Sequence, residues 1–339
     1  MNKKIKILFL ITSLLFVLVA AAALIIFKIP NTQGRPYTLH IPQNATYEQV
    51  LDSLTHHNVL KSPLTFNITA SCLKYKKIYP GKYIITPDVT NLDLVRLLRR
   101  GQHYPVKITI NNIRIKQQLL DKIGNKFLFD INDLDELLSD EAFLSTYHLT
   151  PENVLSAFLP DSYEFYFDIT AKDFFEKMIS YYEKFWDTPR QARAKEIGLT
   201  PMEATTLASI VEEENFKPDE KAIIAGLYMN RLKIGMCLQS DPTVKYALGD
   251  FTLKRILYEH LTIDSPYNTY KYAGLPPAPI RVPEKSTIDS VLHYAHHDYL
   301  YMCAKEDFSE RHNFAKTHAE HERNAQKYHR ALNARGIKK

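Results

Sequence analysis

The longest apolar stretch of the chain lies at its N-terminus. Residues 7–27 are 21 positions without a charged side chain, and three lysines precede them: Lys3, Lys4 and Lys6. As a helix this stretch is about 30 Å long, which matches the hydrocarbon core of a bilayer. Because lysines beside a membrane span remain in the cytoplasm, residues 1–30 are predicted to be a single-pass anchor in the cytoplasmic (inner) membrane, with the rest of the chain outside. The alternative is a signal peptide cleaved near residues 20–23, but the apolar run continues past those alanines, which favours the anchor.

Residues 31–103 combine the two-residue period of strands with the 3.6-residue period of helices. The pattern predicts a strand, two helices, a second strand and a third helix, over residues 37–41, 46–54, 63–73, 81–86 and 91–98. This order of elements predicts a small α/β module that ends near residue 101.

Residues 104–339 predict a larger domain of mixed composition. A strand is expected over residues 106–110, and helices over 114–125, 132–146 and 172–186. Thr200, Pro201 and Glu203 form a capping-box pattern that marks the start of another helix. Residues 275–280 are rich in proline and predict an extended loop, and a last helix begins near Thr317. The fold class is therefore α+β, with a transmembrane helix, a small module and a larger catalytic or binding domain.

Composition narrows the possible partners. The net charge is +5, and without the three N-terminal lysines 40 basic residues remain against 38 acidic ones. The chain after these lysines is nearly neutral. This argues against nucleic acid as the partner, because binding nucleic acid requires a concentrated basic surface. The 21 tyrosines and 17 phenylalanines suit the faces of sugars, although most of these rings belong in a core. The three cysteines and the scattered histidines match no zinc signature, and neither a metal nor a cofactor is expected.

One carboxylic acid lies on an apolar helical face. Leu207, Ile210, Val211 and Glu214 follow at spacings of three and four residues, so they share one side of the helix that begins at Thr200. Burial removes hydration from a carboxyl group and raises its pKa, which is the condition for a general acid near neutral pH. The alternative on periodicity alone is a structural ion pair of Glu214 with a nearby base such as Lys217 or Arg231.

Further polar side chains are predicted to lie near Glu214. The next helix carries Arg231, and a second helix is capped around Asp241. A loop with two tyrosines follows, where aromatic rings and amides suit sugar hydroxyls. An arginine in a salt bridge and an aspartate that only caps a helix are the structural alternatives. The candidate substrate contacts are Asn230, Arg231, Gln239, Ser240, Asp241, Tyr267, Asn268, Thr269 and Tyr270.

Four ordered segments resemble the endolytic murein transglycosylase family, the YceG-like proteins. They are residues 207–214, 229–244, 265–280, and 299–301 with 312–314. The resemblance covers the arrangement of anchor, LysM-like module over residues 31–103 and catalytic domain over 104–339, and it is strongest from about residue 205 to 325.

The resemblance implies lytic cleavage of the MurNAc-β-1,4-GlcNAc bond in peptidoglycan glycan strands, which leaves 1,6-anhydro-MurNAc ends and limits the length of nascent strands. By position, the family's catalytic glutamate is Glu214, acting as general acid and general base, and His312 joins the substrate contacts. Glu212 and Glu213 turn to other sides of the helix, so their glutamine variants are expected to fold and retain most activity. The implied partners are glycan strands, the cytoplasmic membrane and peptidoglycan synthases.

Three departures from the family pattern lie near the site. Asn215 replaces a threonine and Glu213 replaces a lysine, and the family's glycine-rich loop before its histidine is replaced by residues 306–311. Two other functions stay open at this point. A peptidoglycan hydrolase that uses water needs a second carboxylate, for which Asp241 is the candidate. A non-catalytic wall-binding scaffold would keep Glu214 for structural reasons.

Overall fold

The computed structural model describes residues 3–101, 104–215, 217–253 and 255–335. The chain divides into two compact units, each built from three segments. The first unit comprises Met1–Ile108, Ile123–Ile131 and Glu164–Ala171, and the second comprises Thr109–Lys122, Asn132–Tyr163 and Lys172–Lys339.

The first unit begins with one long apolar helix, α1 (Lys3–Phe27). Its stretch Phe9–Phe27 is long and apolar enough to cross a membrane, and its large side chains are exposed. The C-terminal end of α1 is fixed to this unit, because the Ile26 carbonyl accepts hydrogen bonds from the side chains of Thr69 (3.4 Å) and Asn91 (2.8 Å).

The small module has the predicted order of elements. They are β1 (Tyr37–Ile41), α2 (Tyr47–His56), α3 (Pro63–Cys72), β2 (Gly81–Ile85) and α4 (Asn91–Arg100). The two strands pair antiparallel, with Tyr37 opposite Ile85. Alternate residues of both strands are buried with the inner faces of the helices, in a core that includes Leu39, Tyr83 and Leu94. Threonine and serine side chains cap all three helices, which explains why their starts were visible in the sequence.

The remaining elements are mostly helices, with a few short strands between them. The helices are α5 (Lys116–Ile123), α6 (Ile131–Leu137), α7 (Glu141–Ser145), α8 (Ala171–Phe185), α9 (Thr188–Glu196), α10 (Pro201–Glu214), α11 (Pro218–Lys233), α12 (Asp241–Leu248), α13 (Lys285–Leu292) and α14 (His318–Ala334). The strands are β3 (Val106–Ile110), β4 (Asp161–Phe165), β5 (Tyr301–Ala304) and β6 (His312–Ala315), paired as β3 with β4 and β5 with β6. The fold is thus mixed α+β, as predicted.

The single helix predicted over residues 132–146 is wrong, because the structure has two. Asp140 adopts an extended conformation and its side chain accepts the Phe143 N–H, so it caps a new helix, α7, instead of continuing α6. The sequence analysis also did not predict α9, α13, β4 or the β5–β6 hairpin. Strands β5 and β6 have four residues each and do not alternate between buried and exposed positions, so the two-residue period is absent there.

Helix α10 is the centre of the second unit. It packs against α11 and α13, and every residue from Ala204 to Glu212 is buried. The prediction of one apolar face was therefore too narrow, since the helix is enclosed on all sides. The capping box was correct: the Thr200 hydroxyl accepts the Glu203 N–H, and the Glu203 carboxylate accepts the Thr200 N–H.

A close approach beside Gly226 positions the segment that leads into the β5–β6 hairpin. A Cβ atom at Gly226 would lie 2.2 Å from the Ala295 carbonyl oxygen, so a larger residue would force the two segments apart. Farther along α11, the Asn230 amide donates to the carbonyls of His297 (2.7 Å) and Tyr299 (3.1 Å). The hairpin is thereby held against α11.

Candidate active site

Glu214 is the last residue of α10 and faces an open cleft. After it the chain turns into an extended conformation at Asn215, with φ −152° and ψ 134°. The cleft has a volume of about 250 Å³, and its polar lining consists of Glu214, Tyr228, Arg231, Gln239, Asp241, Tyr270 and His312. The helix end thus delivers a single carboxyl group from the core to an accessible space.

The Glu214 carboxyl group accepts hydrogen bonds from two uncharged hydroxyl groups. Tyr228 Oη donates to Oε1 at 2.7 Å, and Ser240 Oγ donates to the same oxygen at 2.5 Å. Burial raises the pKa of Glu214 above its ordinary value, and the nearby Asp241 charge adds to this, while the two hydroxyl groups and His312 oppose it. Burial also raises the pKa of Tyr228, which remains a neutral donor. The site therefore favours a protonated carboxyl group while keeping donors ready for the carboxylate.

Neither Lys217 nor Arg231, both in the described part of the chain, forms the ion pair with Glu214 that was the structural alternative. Lys217 pairs instead with Glu310 at 2.9 Å. The Arg231 guanidinium donates to backbone carbonyls, namely Leu300 at 2.7 Å and Leu238 at 2.6 Å. Within the described ranges, no basic side chain forms a salt bridge with Glu214.

The two neighbouring glutamates have other environments. Glu212 is buried and forms an ion pair with Lys221 at 3.0 Å, and the Thr287 hydroxyl also donates to it. Glu213 binds the guanidinium groups of Arg114 (2.7 Å) and Arg281 (2.8 Å). Both turn away from the cleft, as predicted, but Glu212 lies in the core. The expectation that its glutamine variant folds normally does not fit this position.

One wall of the cleft is formed by Gln239, Ser240 and Asp241. Gln239 lies in the left-handed region at φ 51°, a conformation that costs a residue with a side chain about 1 kcal/mol or more. Ser240 is the N-cap residue of α12, but its hydroxyl group binds Glu214 instead of the backbone of that helix. Asp241 accepts a hydrogen bond from the Tyr270 hydroxyl at 2.6 Å. These four predicted residues are thus brought together around Glu214.

Four other predicted contacts are occupied by bonds and packing within the protein. Asn268 is fully buried, and its amide donates to the carbonyls of Leu261 and Ile263, both at 2.9 Å. The Thr269 hydroxyl accepts the Ser240 N–H at 3.0 Å. The Tyr267 ring packs on another tyrosine, and Asn230 holds the hairpin as described. The structure does not place Asn230, Tyr267, Asn268 or Thr269 among the cleft-lining side chains.

Tyr228 was missed by the sequence analysis although it contacts the candidate acid directly. A signal was present, because Tyr228 follows Ile224 by four residues and precedes Arg231 by three, which puts all three on one side of α11. A tyrosine at such a spacing is usually a core residue, so the pattern alone did not single it out. His312, at the start of β6, does reach the cleft, as predicted.

The fold and the site define a class of protein: a mixed α+β chain with a protonatable carboxyl group at an open cleft. The chain belongs to the YceG-like family, whose sequence profile matches residues 39–327. It is 28% identical over 306 residues to the endolytic murein transglycosylase of Bacillus subtilis (strain 168), covering 86% of this chain and 84% of that relative.

Two other comparisons agree. The endolytic murein transglycosylase of Streptococcus pneumoniae serotype 2 (strain D39) is 28% identical over 318 residues, which cover 85% of this chain but 57% of that relative. This chain therefore spans little more than half the length of the pneumococcal protein. The crystal structure of a YceG-like protein from Listeria monocytogenes superposes with a TM-score of 0.56 at 25% identity, covering 85% of this chain and 98% of that one.

Proposed function

We propose that this protein is an endolytic lytic transglycosylase, a polysaccharide lyase that cleaves MurNAc-β-1,4-GlcNAc bonds of peptidoglycan, with Glu214 as general acid and general base. The observation that carries the proposal is the Glu214 carboxyl group, enclosed at a cleft, free of salt bridges among the described residues, and with a raised pKa. The names of the Bacillus and pneumococcal relatives support murein as the substrate.

The reaction needs one carboxyl group. Protonated Glu214 gives its proton to the glycosidic oxygen, the bond to C1 of MurNAc breaks, and Glu214 becomes a carboxylate. The C6 hydroxyl of the same MurNAc then attacks C1 and gives its proton to Glu214, which restores the acid and forms the 1,6-anhydro ring. No water is consumed, because the nucleophile belongs to the substrate and is already close to C1.

The hydrogen-bond donors at Glu214 fit this cycle. Tyr228 and Ser240 both donate to Oε1, so they stabilise the carboxylate that exists between the two proton transfers. They are uncharged, and so do not fix the carboxyl group permanently in its ionised form as a lysine would. Asp241 and Tyr270 add polar groups to the same cleft, where they are expected to bind sugar hydroxyls.

A hydrolase that uses water is the second candidate, because Asp241 is a carboxylate that lines the same cleft. Hydrolysis normally requires two carboxylates on either side of the scissile bond. We favour the lyase, since the Tyr270 hydroxyl already occupies one Asp241 oxygen and the C6 hydroxyl makes a water nucleophile unnecessary.

The cellular setting is part of the proposal. We expect α1 to remain in the mature protein as a single-pass anchor in the cytoplasmic membrane, with the catalytic region of residues 104–339 outside and residues 31–103 as a LysM-like module between them. Such a protein would act on nascent strands near peptidoglycan synthases and limit their length. Fractionation that recovers a soluble form beginning near residue 23 would contradict the anchor.

The deciding experiment is product analysis. The full-length protein is incubated with purified sacculi, and the muropeptides are reduced with borohydride and weighed by mass spectrometry. A lyase yields anhydro ends that resist reduction, whereas reducible MurNAc ends as the main product would establish the hydrolase. Glu214→Gln serves as the inactive control, and a wild-type protein that releases neither product would support the scaffold.

A further inference from the structure

A second acid–base pair lies at the cleft beside Glu214 and is not used by the proposed reaction. His312 lines the cleft, and its side chain is 15% exposed. Behind it, buried Glu220 places Oε2 at 2.9 Å from His312 Nδ1 and accepts the His312 backbone N–H through Oε1 at 3.1 Å. One carboxylate therefore fixes both the backbone and the ring of this histidine.

The contacts of Asn215 show which ring nitrogen of His312 carries the proton. Its amide nitrogen has two N–H groups, and acceptors lie at 2.5 Å (Glu220 Oε2) and 3.2 Å (the Glu310 carbonyl). No third N–H is left for His312 Nδ1, which lies 3.3 Å away. The short contact between Nδ1 and Glu220 is therefore a ring N–H that donates to the carboxylate, and the neutral ring has its lone pair on Nε2.

The other ring nitrogen of His312, Nε2, is available to a ligand in the cleft that His312 lines. Nδ1 is bonded to Glu220, and no hydrogen bond to Nε2 is found in the part of the chain that the structure describes. A neutral Nε2 is an acceptor, so it fits a hydroxyl donor and not a carboxylate or phosphate. On a glycan strand the hydroxyl groups of the sugar rings are such donors.

We propose that Glu220 and Asn215 are positioning residues that hold the His312 ring in the Nδ1–H form, so that Nε2 can accept a hydrogen bond from a hydroxyl group of the cleaved sugar. This inference rests on the proposed function for the identity of the sugar. It gives the His312 contact that the family resemblance implies a defined chemistry: Nε2 accepts a hydrogen bond, whereas Tyr228 and Ser240 donate theirs to Glu214. It also explains why Asn215 directly follows the catalytic residue: its side chain joins the end of α10 to the histidine.

Two variants of the full-length protein separate binding from a structural role. His312→Asn keeps an amide donor near the Nδ1 position for Glu220 but removes Nε2, and His312→Ala removes both. We expect both to lower kcat/KM for anhydro-end formation by about tenfold or more, as for the loss of one buried hydrogen bond to substrate, with the Tm of His312→Asn close to wild type. A merely structural histidine would leave His312→Asn active within twofold, and that result would overturn the proposal.

The positioning role has its own readout. Nitrogen-15 NMR of the histidine rings, at a pH where His312 is neutral, should show the Nδ1–H tautomer in the wild type and a shift toward Nε2–H in Glu220→Gln. Asp219→Asn is the matched control, because Asp219 is the preceding residue and pairs with Arg311 on the surface. It should change neither the tautomer nor the rate.

The outcomes distinguish the two proposals. An Nε2–H tautomer in the wild type overturns the positioning role, whatever the product. Reducible ends or no product from the wild type refute the proposed function, while the tautomer measurement still decides how Glu220 holds His312. Anhydro ends together with an unaffected His312→Asn variant leave the proposed function in place and remove His312 from the site.

Discussion

Glu212 and Glu214 lie two residues apart on α10, and their surroundings differ in one respect that separates their roles. Both carboxyl groups are largely enclosed by protein. Glu212 contacts the ammonium group of Lys221, whereas Glu214 contacts the hydroxyl groups of Tyr228 and Ser240. A buried carboxylate is strongly unfavourable unless a cation neutralises it or a proton does. A lysine neutralises the first glutamate, whereas burial without a basic partner raises the pKa of the second, so the partners rather than the burial mark Glu214 as the proposed acid.

The largest expected effect tests whether Glu214 is the general acid. Glu214→Gln keeps the shape of the side chain but removes the transferable proton, so turnover should fall by a factor on the order of 10² to 10⁴. The rate of anhydro-end formation by the purified full-length protein measures this. A variant that folds and still turns over at a near-normal rate would show that the acid lies elsewhere.

The next effect tests the structural side. Glu212→Gln leaves Lys221 buried without its partner, which should lower the free energy of unfolding by about 3–5 kcal/mol. Urea unfolding followed by circular dichroism measures the loss, and activity per folded molecule should change little. The double variant Glu212→Gln/Lys221→Met removes the unpaired charge and should recover part of the stability. An unchanged midpoint for Glu212→Gln would contradict the ion pair.

A smaller effect is expected when either hydroxyl group that donates to Glu214 is removed. Both hydrogen bonds lower the pKa of Glu214, so Tyr228→Phe or Ser240→Ala should raise it further. Since the acid must be protonated to act, the fall in kcat/KM at high pH should move upward, by about one pH unit for a hydrogen bond of typical strength. Tyr246→Phe, a tyrosine that packs on Tyr267 outside the cleft lining, is the control and should leave the pH profile unchanged.

The smallest effect concerns stability against pH. Because the pKa of Glu214 is raised in the folded state, the folded protein holds this proton more tightly than the unfolded chain does. The resulting stabilisation is fully present below the ordinary glutamate pKa of 4.5 and is lost as pH rises through the folded-state pKa. Above that window Glu214→Gln should be more stable than wild type by on the order of 1 kcal/mol or more, because the glutamine carries no charge to bury. A stability difference between Glu214→Gln and the wild type that is the same at both ends of the window would argue against the raised pKa.

The same comparison shows what the sequence could reveal. Helical spacing located Glu214, because Leu207, Ile210 and Val211 lie on its side of α10 and spacing is a local property. The capping-box pattern at Thr200 located the start of α10 for the same reason. Spacing also showed that Glu212 points elsewhere, but not that Lys221 and Thr287 contact it there. Those partners come from α11 and α13, and only the fold brings them together.

The contact between Glu220 and His312 was the part of the site least predictable from the sequence. Glu220 is an ordinary acid in the first turn of α11, where negative charge is favourable in any helix. Its pairing with His312 joins residues 92 positions apart through a hairpin that the sequence pattern did not reveal. The family resemblance marked His312, yet the carboxylate that orients the ring carries no local signal.

Because of Ser240, the start of α12 should open locally more easily than α10. Since its hydroxyl group binds Glu214, the Ser240 side chain does not cap the first turn of α12. That turn is held by the N–H and hydroxyl groups of Thr243, which donate to the Ser240 carbonyl at 3.2 and 2.7 Å. Helix starts without a cap exchange their amide hydrogens through local fraying, at a free energy well below that of global unfolding. The amides of residues 243–244 should therefore exchange faster than those of the enclosed helix α10.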